Sequence, residues 1–397
     1  MYWTRKHVLG CTASHCAAKG ANEVLMVLRR EVLRRGLDKE ILVNNCGTID
    51  LCDIGPNFVI YPEGVIYSGV TKADVPELVD ALAAGTVVER LVLSPETAAE
   101  RDAQPVVRVF GDKVYVLDQT HGAVRVYDAA RDFKDPTEFT LDHPLVPAAA
   151  ANPHDIYVDG PRAFVALYGS DNGKVTAARA LAVVDLAAAK PAITRFIPLA
   201  QDPADPDGNP EADRLLACGD NLYVVLQSLD SGKFYAPAAP GRLAVVPLRG
   251  AETVRYIPLR GHDPVSLSIF DGGCKQAALA MADNQFGAPP TGRGGVELVD
   301  LTTESSLGLV LVDKDLGGNV STAGGATAGR FFVDVLSKTN KDFLHDVFVA
   351  DLSSRTLGAK VLGTVALVPQ IRVFGDKLLV LAAGTPLQGM RPSGLYV

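Results

Sequence analysis

The sequence predicts an α/β domain over residues 1–93, a linker over 94–104 and an all-β array of repeated sheets over 105–397. Three observations predict it. Apolar residues recur at helical spacing between Gly20 and Arg35, with short strand-like runs on either side. Helical period disappears after Val106, where strand–turn–strand units take over. One such unit, Val107-Arg108-Val109-Phe110-Gly111-Asp112-Lys113-Val114-Tyr115-Val116-Leu117, returns nearly intact from Ile371 to Leu381.

The first domain reads in order. Lys6 to Gly10 is a short strand ending at Cys11. The helix that follows carries Val24, Leu25, Val27, Leu28, Val32 and Leu33 on its apolar side, with Arg34 and Arg35 in the last turn and Gly36 as stop signal. Ile41-Leu42-Val43 is a second strand. Phe58–Tyr61 and Val65–Tyr67 form a hairpin across Pro62-Glu63-Gly64. Thr71 is placed to cap a helix running to about Leu82.

Four cysteines punctuate this domain in two loop pairs. Four residues separate Cys11 from Cys16, and five separate Cys46 from Cys52. Four thiolates must converge to hold a metal, and two short loops can deliver two each at small closure cost. A disulfide pair and unrelated core thiols are the metal-free readings. A tetrahedral zinc site is the metal rival, although its usual pair spacing is two to four residues. Spacing and context together favour an iron–sulfur centre.

The order strand, helix, strand, hairpin, helix resembles the thioredoxin-like [2Fe-2S] ferredoxins, which are similar to the small iron–sulfur subunit of respiratory complex I. The residues that carry the resemblance are Cys11, Cys16, Cys46 and Cys52, then Gly55-Pro56, the hairpin from Val59 to Tyr67, Val70-Thr71 and Asp74-Val75. It implies one [2Fe-2S] cluster on those four cysteines, electron transfer as the activity, and redox partner proteins. The first pair has the spacing of one branch of that family. The second is longer than the usual three-residue gap, and Thr48 stands where such a member has Cys.

Ser94 to Pro105 is polar with prolines near both ends, the composition of a linker. Beyond it, third strands of the repeating unit end at Asp128, Asp185, Pro247, Asp300 and Asp351, about fifty to sixty residues apart. Fourth strands follow at Ile193–Ile197 and Val254–Ile257. Four antiparallel strands at that period predict a β-propeller of about six blades, with a seventh or an incomplete ring as the alternative. The sixth unit, from about Val368, is expected to reach only its third strand, Gly394-Leu395-Tyr396-Val397, without an outer fourth strand. Asn152-Pro153-His154-Asp155-Ile156 and Ala182-Val183-Val184-Asp185-Leu186 resemble bacterial propellers with YVTN-like repeats. The propeller is then expected to be a docking or scaffold module of an electron-transfer protein, or a site for a protein or small-molecule ligand of its own. The alternative is a binding or structural protein in which the propeller is the functional part and the cluster, or a zinc, is a stabiliser or redox sensor.

Composition excludes some classes. The formal net charge is −8 and neither half is basic, so nucleic acid is not an expected partner. No apolar run reaches the ~20 residues of a membrane helix. Val8-Leu9-Gly10-Cys11 lacks the ~7–15-residue apolar region of an export signal, and a cytoplasmic location is expected.

His154-Asp155, His262-Asp263 and His345-Asp346 look like a repeated pair, but the third leads into a third strand, so the three are not equivalent; hydrogen-bonded turn residues are expected rather than a shared metal site. Between Asp202 and Asp213, Asp205, Asp207 and Asn209 alternate as calcium ligands do. The glycine and the closing Glu are misplaced for a calcium loop, so a solvated loop is expected. Cys218 and Cys274 are expected to be buried spectators. No acid/base or nucleophile constellation is legible, which favours an electron carrier over a catalyst.

Overall fold

The computed structural model describes residues 4–47, 55–93, 106–169, 176–200, 202–233, 235–250, 253–269, 273–283, 289–327, 330–337, 344–365, 367–374, 377–383, 391 and 394–397. The chain divides into two compact units, in the main Met1–Asp102 and Ala103–Ala383.

In the first unit, β1 (Lys6–Cys11) leads through α1 (Ser14–Ala18) into α2 (Ala21–Arg34), then β2 (Ile41–Cys46), β3 (Phe58–Tyr61), β4 (Val65–Tyr67) and α3 (Val75–Ala84). The sheet order is β2-β1-β3-β4. β1 pairs with β2 in parallel and with β3 antiparallel. The helical period is realised: Val24, Leu25, Leu28 and Val32 of α2 are buried, while Met26 and Leu33 remain exposed. Gly10 lets α2 lie close on the sheet. A Cβ there would stand 2.8 Å from both Leu25 Cδ1 and Phe58 Cε1.

Thr71 caps as expected. Its amide and hydroxyl donate to Asp74 Oδ2 at 2.7 and 2.6 Å, opening a helical turn that runs into α3. One hydrophobic core, from Val8 to Leu91, closes this unit.

The second unit is a succession of antiparallel sheets. The first is β5 (Val106–Phe110), β6 (Lys113–Asp118), β7 (Ala123–Asp128) and β8 (Thr137–Thr140). After the short α4 (Ala148–Ala151) comes the second: β9 (Pro153–Asp159), β10 (Arg162–Leu167), β11 (Ala180–Asp185) and β12 (Ala192–Pro198). The third is β13 (Ala212–Cys218), β14 (Asn221–Leu226), β17 (Pro240–Pro247) and β18 (Arg255–His262), with a small hairpin of β15 (Leu229–Asp230) and β16 (Ala236–Pro237) inserted. The fourth is β19 (Ser268–Ile269), β20 (Gln276–Met281), β21 (Gly295–Asp300) and β22 (Ser305–Val312). The short α5 (Asp313–Leu316) precedes the fifth: β23 (Gly318–Thr327), β24 (Arg330–Ser337), β25 (His345–Asp351) and β26 (Thr356–Val365). The last, β27 (Leu367–Phe374), β28 (Lys377–Ala383) and β29 (Gly394–Tyr396), has three strands among the described residues.

The sequence repeat is a structural repeat. Val107 lies opposite Val116 and Ile371 opposite Val380, the same register in the first and last sheets. Successive side chains of a strand point to opposite faces, and here each face meets a different neighbour. In β10, Val165 packs toward the first sheet and Phe164 toward the third. In β14, Val224 faces the second sheet and Val225 the fourth. Ala278 and Ala277 of β20 divide between fifth and third sheets in the same way. Phe332 joins β24 to the last sheet. Each core is thus shared by consecutive sheets, which explains strands that are apolar on both faces.

Three expectations need correction. Cys218 and Cys274 are not spectators but a disulfide, tying the end of β13 to the segment before β20. Their separation in sequence hid a pairing that strand return makes. The His–Asp pairs do not share a turn role. His154 and His345 lie on β9 and β25, where Nδ1 meets Asp213 Oδ1 at 2.9 Å and Asp334 Oδ2 at 2.6 Å; Asp155 instead takes the guanidinium of Arg108 at 2.7 Å. His262 ends β18, where burial and nearby Arg293 push its pKa down. The acidic loop is not solvated: Asp205, Asn209, Glu211 and Asp213 are buried, because the loop folds under the β15–β16 hairpin.

Candidate metal centre

Parallel pairing of β1 and β2 sets the site. In the ladder Val8 meets Val43, and three residues on Cys11 meets Cys46. Both cysteines therefore arrive at the carboxyl ends of adjacent strands, where the ladder stops and the chain turns away. Thr12 fixes the turn after β1: its amide and hydroxyl both donate to Cys46 O, at 3.2 and 2.7 Å. This bend starts α1 at Ser14 and brings Cys16 back toward the strand ends, fully buried.

The segment from Gly55 to Asn57 forms the other wall. Gly55 lies against Cys16 so closely that a Cβ would fall 2.5 Å from Cys16 Sγ. Asn57 is fully buried; its carbonyl accepts from Cys11 N at 2.9 Å, and its Nδ2 points to Cys16 Sγ at 3.8 Å. The sequence reading missed Asn57. A polar residue between Pro56 and the apolar strand Phe58–Tyr61 was the available signal.

The thiols have weak protein partners. Cys11 Sγ donates to Gly47 O at 3.4 Å and Cys46 Sγ to Gly10 O at 3.5 Å. Burial pushes the Cys46 thiol up, and the neighbouring Cys11 adds to the effect. A metal ligated at Cys46 would offset that cost, because metal binding deprotonates its thiol ligands. A soft, all-sulfur donor set surrounded by buried apolar residues fits iron–sulfur chemistry. Cys11 and Cys46 meet in the β1–β2 ladder and Cys11 shares a buried cluster with Cys16; Cys52 and Thr48 lie outside the described residues.

A parallel β–α–β start with thiols gathered at the strand ends defines a class: small α/β domains built to hold a thiolate-ligated centre. Relatives narrow it. A 2Fe-2S ferredoxin of Clostridium pasteurianum is 36% identical over 96 residues, which cover 22% of this chain and 94% of that protein. A 2Fe-2S ferredoxin of Aquifex aeolicus strain VF5 is 33% identical over 99 residues, 22% of this chain and 89% of that protein. The crystal structure of the wild-type thioredoxin-like [2Fe-2S] ferredoxin from Aquifex aeolicus superposes with 32% identity and a TM-score of 0.22, covering 23% of this chain and 99% of that one. No family model matches the chain. Through its N-terminal domain, the chain belongs to the thioredoxin-like [2Fe-2S] ferredoxin family.

Proposed function

We propose that this is an electron-transfer protein whose N-terminal domain holds one [2Fe-2S] cluster on Cys11, Cys16, Cys46 and Cys52. The observation that carries the reading is the β1–β2 register, which sets Cys11 beside Cys46 with Cys16 buried on the next turn. The cluster supplies a one-electron couple when bound. Cys11, Cys16 and Cys46 hold it against the strand ends, Asn57 directs a donor at the Cys16 sulfur, and the apolar core behind limits water. Cys52, separated from Cys46 by five residues, supplies the last ligand. Redox partner proteins follow from this activity.

Residues 1–93 form the cluster domain, 94–104 a linker, and 105–397 a β-propeller of about six blades that docks or scaffolds a partner. The successive shared cores support the propeller, because a blade that packs on both neighbours is what a ring of sheets requires. Kinship with YVTN-type propellers rests on the segments at β9 and β11 alone. Cytoplasmic residence is opposed by the Cys218–Cys274 disulfide, since structural disulfides are rare in reducing compartments. Alkylation of free thiols in intact cells decides the point: two protected thiols in this pair mean an oxidising compartment.

The deciding experiment is purification without oxygen, followed by iron and sulfide analysis, a visible spectrum and a redox titration. Two irons and two sulfides per chain with a reversible one-electron couple are expected. A colourless protein, or a redox-silent metal such as zinc, refutes electron transfer.

A further inference from the structure

The loop between β12 and β13 carries a second, unrelated constellation. Asp205, Asp207 and Glu211 bring one carboxylate oxygen each to within 4.8 Å of one another. Oxygens bound to one Ca²⁺ at 2.3–2.6 Å lie at most ~5 Å apart, so this separation is that of a shared ion.

The local hydrogen bonds account for only part of each carboxylate. Glu211 Oε2 accepts from Leu229 N at 2.8 Å, Asp205 Oδ1 from Asp207 N at 3.3 Å, and Asp207 Oδ2 from Ser231 N at 2.9 Å. Glu211 Oε1 and Asp205 Oδ2 are left buried with no hydrogen-bond partner, on residues that are 0% and 4% exposed. Asn209, 5% exposed, has its Oδ1 unpartnered as well, while its amide holds Asp207 Oδ1 at 2.9 Å. A buried carboxylate oxygen without a donor is costly, and gathering several multiplies the cost. Divalent cations remove that cost directly.

We propose that Asp205, Asp207 and Glu211 bind one Ca²⁺, which staples the β12–β13 loop to the β15–β16 hairpin. The donors are all oxygen, which selects a hard cation, and an irregular loop suits the flexible coordination of Ca²⁺ better than the strict octahedron of Mg²⁺. Backbone carbonyls and water complete the shell. The spacing departs from the familiar calcium loop because the ligands are gathered by a β-hairpin above the loop rather than by the loop alone.

The test uses the full chain, stripped with chelator and dialysed against CaCl₂ or MgCl₂ separately, with bound metal counted and thermal melting recorded. Uptake of one Ca²⁺ per chain, with a higher melting temperature in CaCl₂ than in equal MgCl₂, is expected. The Asp205→Asn/Glu211→Gln variant should take up none, keep its visible cluster spectrum, and melt no lower than the parent in chelator, because the repulsion is gone. Absence of Ca²⁺ uptake by the parent at millimolar CaCl₂ overturns the proposal. So does equal uptake of Mg²⁺, or undiminished uptake by the variant. If that variant does not fold, Asp207→Asn serves in its place, and the parent's own uptake remains decisive.

Discussion

Cys11 and Cys46 are register partners at the carboxyl ends of two parallel strands, each sulfur directed at a carbonyl beside the other's cysteine. Thirty-five residues apart in sequence, they are neighbours because β1 and β2 run the same way from Lys6 and Ile41. Parallel strands need a crossover connection, usually a helix, and α2 is that connection. The proposed cluster site thus follows from the β–α–β unit.

Ligand identity is the first prediction. Cys46→Ala and Cys52→Ala should each abolish or gravely weaken the [2Fe-2S] visible spectrum, whereas Cys218→Ala and Cys274→Ala should leave it unchanged. Thr48→Cys should restore cluster to the Cys46→Ala chain by supplying a nearby thiol. A fully loaded spectrum from Cys46→Ala alone would show that another residue is the ligand.

Gly55 is needed for space. An alanine methyl would stand 2.5 Å from Cys16 Sγ, inside any tolerable contact, so the thiol or the loop must move. Gly55→Ala should lower iron content per chain while leaving far-ultraviolet circular dichroism unaltered. Gly64→Ala, where a Cβ meets nothing within 4 Å, is the control for cluster loading, although its positive φ of 68° costs some stability.

Asn57 tunes rather than ligates. Donation to a cluster-bound sulfur favours the more negative reduced state. Removing the donor with Asn57→Ala should lower the reduction potential in a spectroelectrochemical titration, with the cluster still present. An unshifted potential would limit Asn57 to its backbone role.

Asp159 links neighbouring sheets through pH. The Arg249 guanidinium, paired with both its oxygens, holds its pKa down to about 2 against partial burial, and Arg162 assists. The free carboxyl titrates near 4. The folded value is the lower one, so the contribution is complete above about pH 4 and is lost as pH falls toward 2. Arg249 is exposed, which limits the effect to about 1 kcal/mol or less. The urea midpoints of the parent and Asp159→Asn should differ at pH 7 and converge as the pH is lowered through that window.

The disulfide should stabilise the second unit. It closes a sequence separation of 56 residues, for which chain entropy gives about 4 kcal/mol at room temperature. Thiol reductant should lower the urea midpoint of the parent and not that of the Cys218→Ala/Cys274→Ala variant.

Short-range signals specify the local elements of the first domain and the repeat of the second. Helical spacing from Val24 to Val32, the stop at Gly36, the hairpin across Pro62-Glu63-Gly64 and the cap at Thr71 are short-range signals, read within a few residues. The likeness of Val107–Leu117 to Ile371–Leu381 needed only comparison of the chain with itself. Tertiary structure decided everything that depends on distant strands meeting. Asn57 reaches Cys16 only because β3 pairs with β1. Cys218 finds Cys274 only because the third and fourth sheets pack together. Glu211 joins Asp205 under a hairpin formed by residues 229–237, and that burial turns a polar loop in sequence into a cluster of desolvated carboxylates. Local pattern fixes which face of an element is apolar. Which other element covers that face is a property of the packed chain, and burial and charge pairing follow from it.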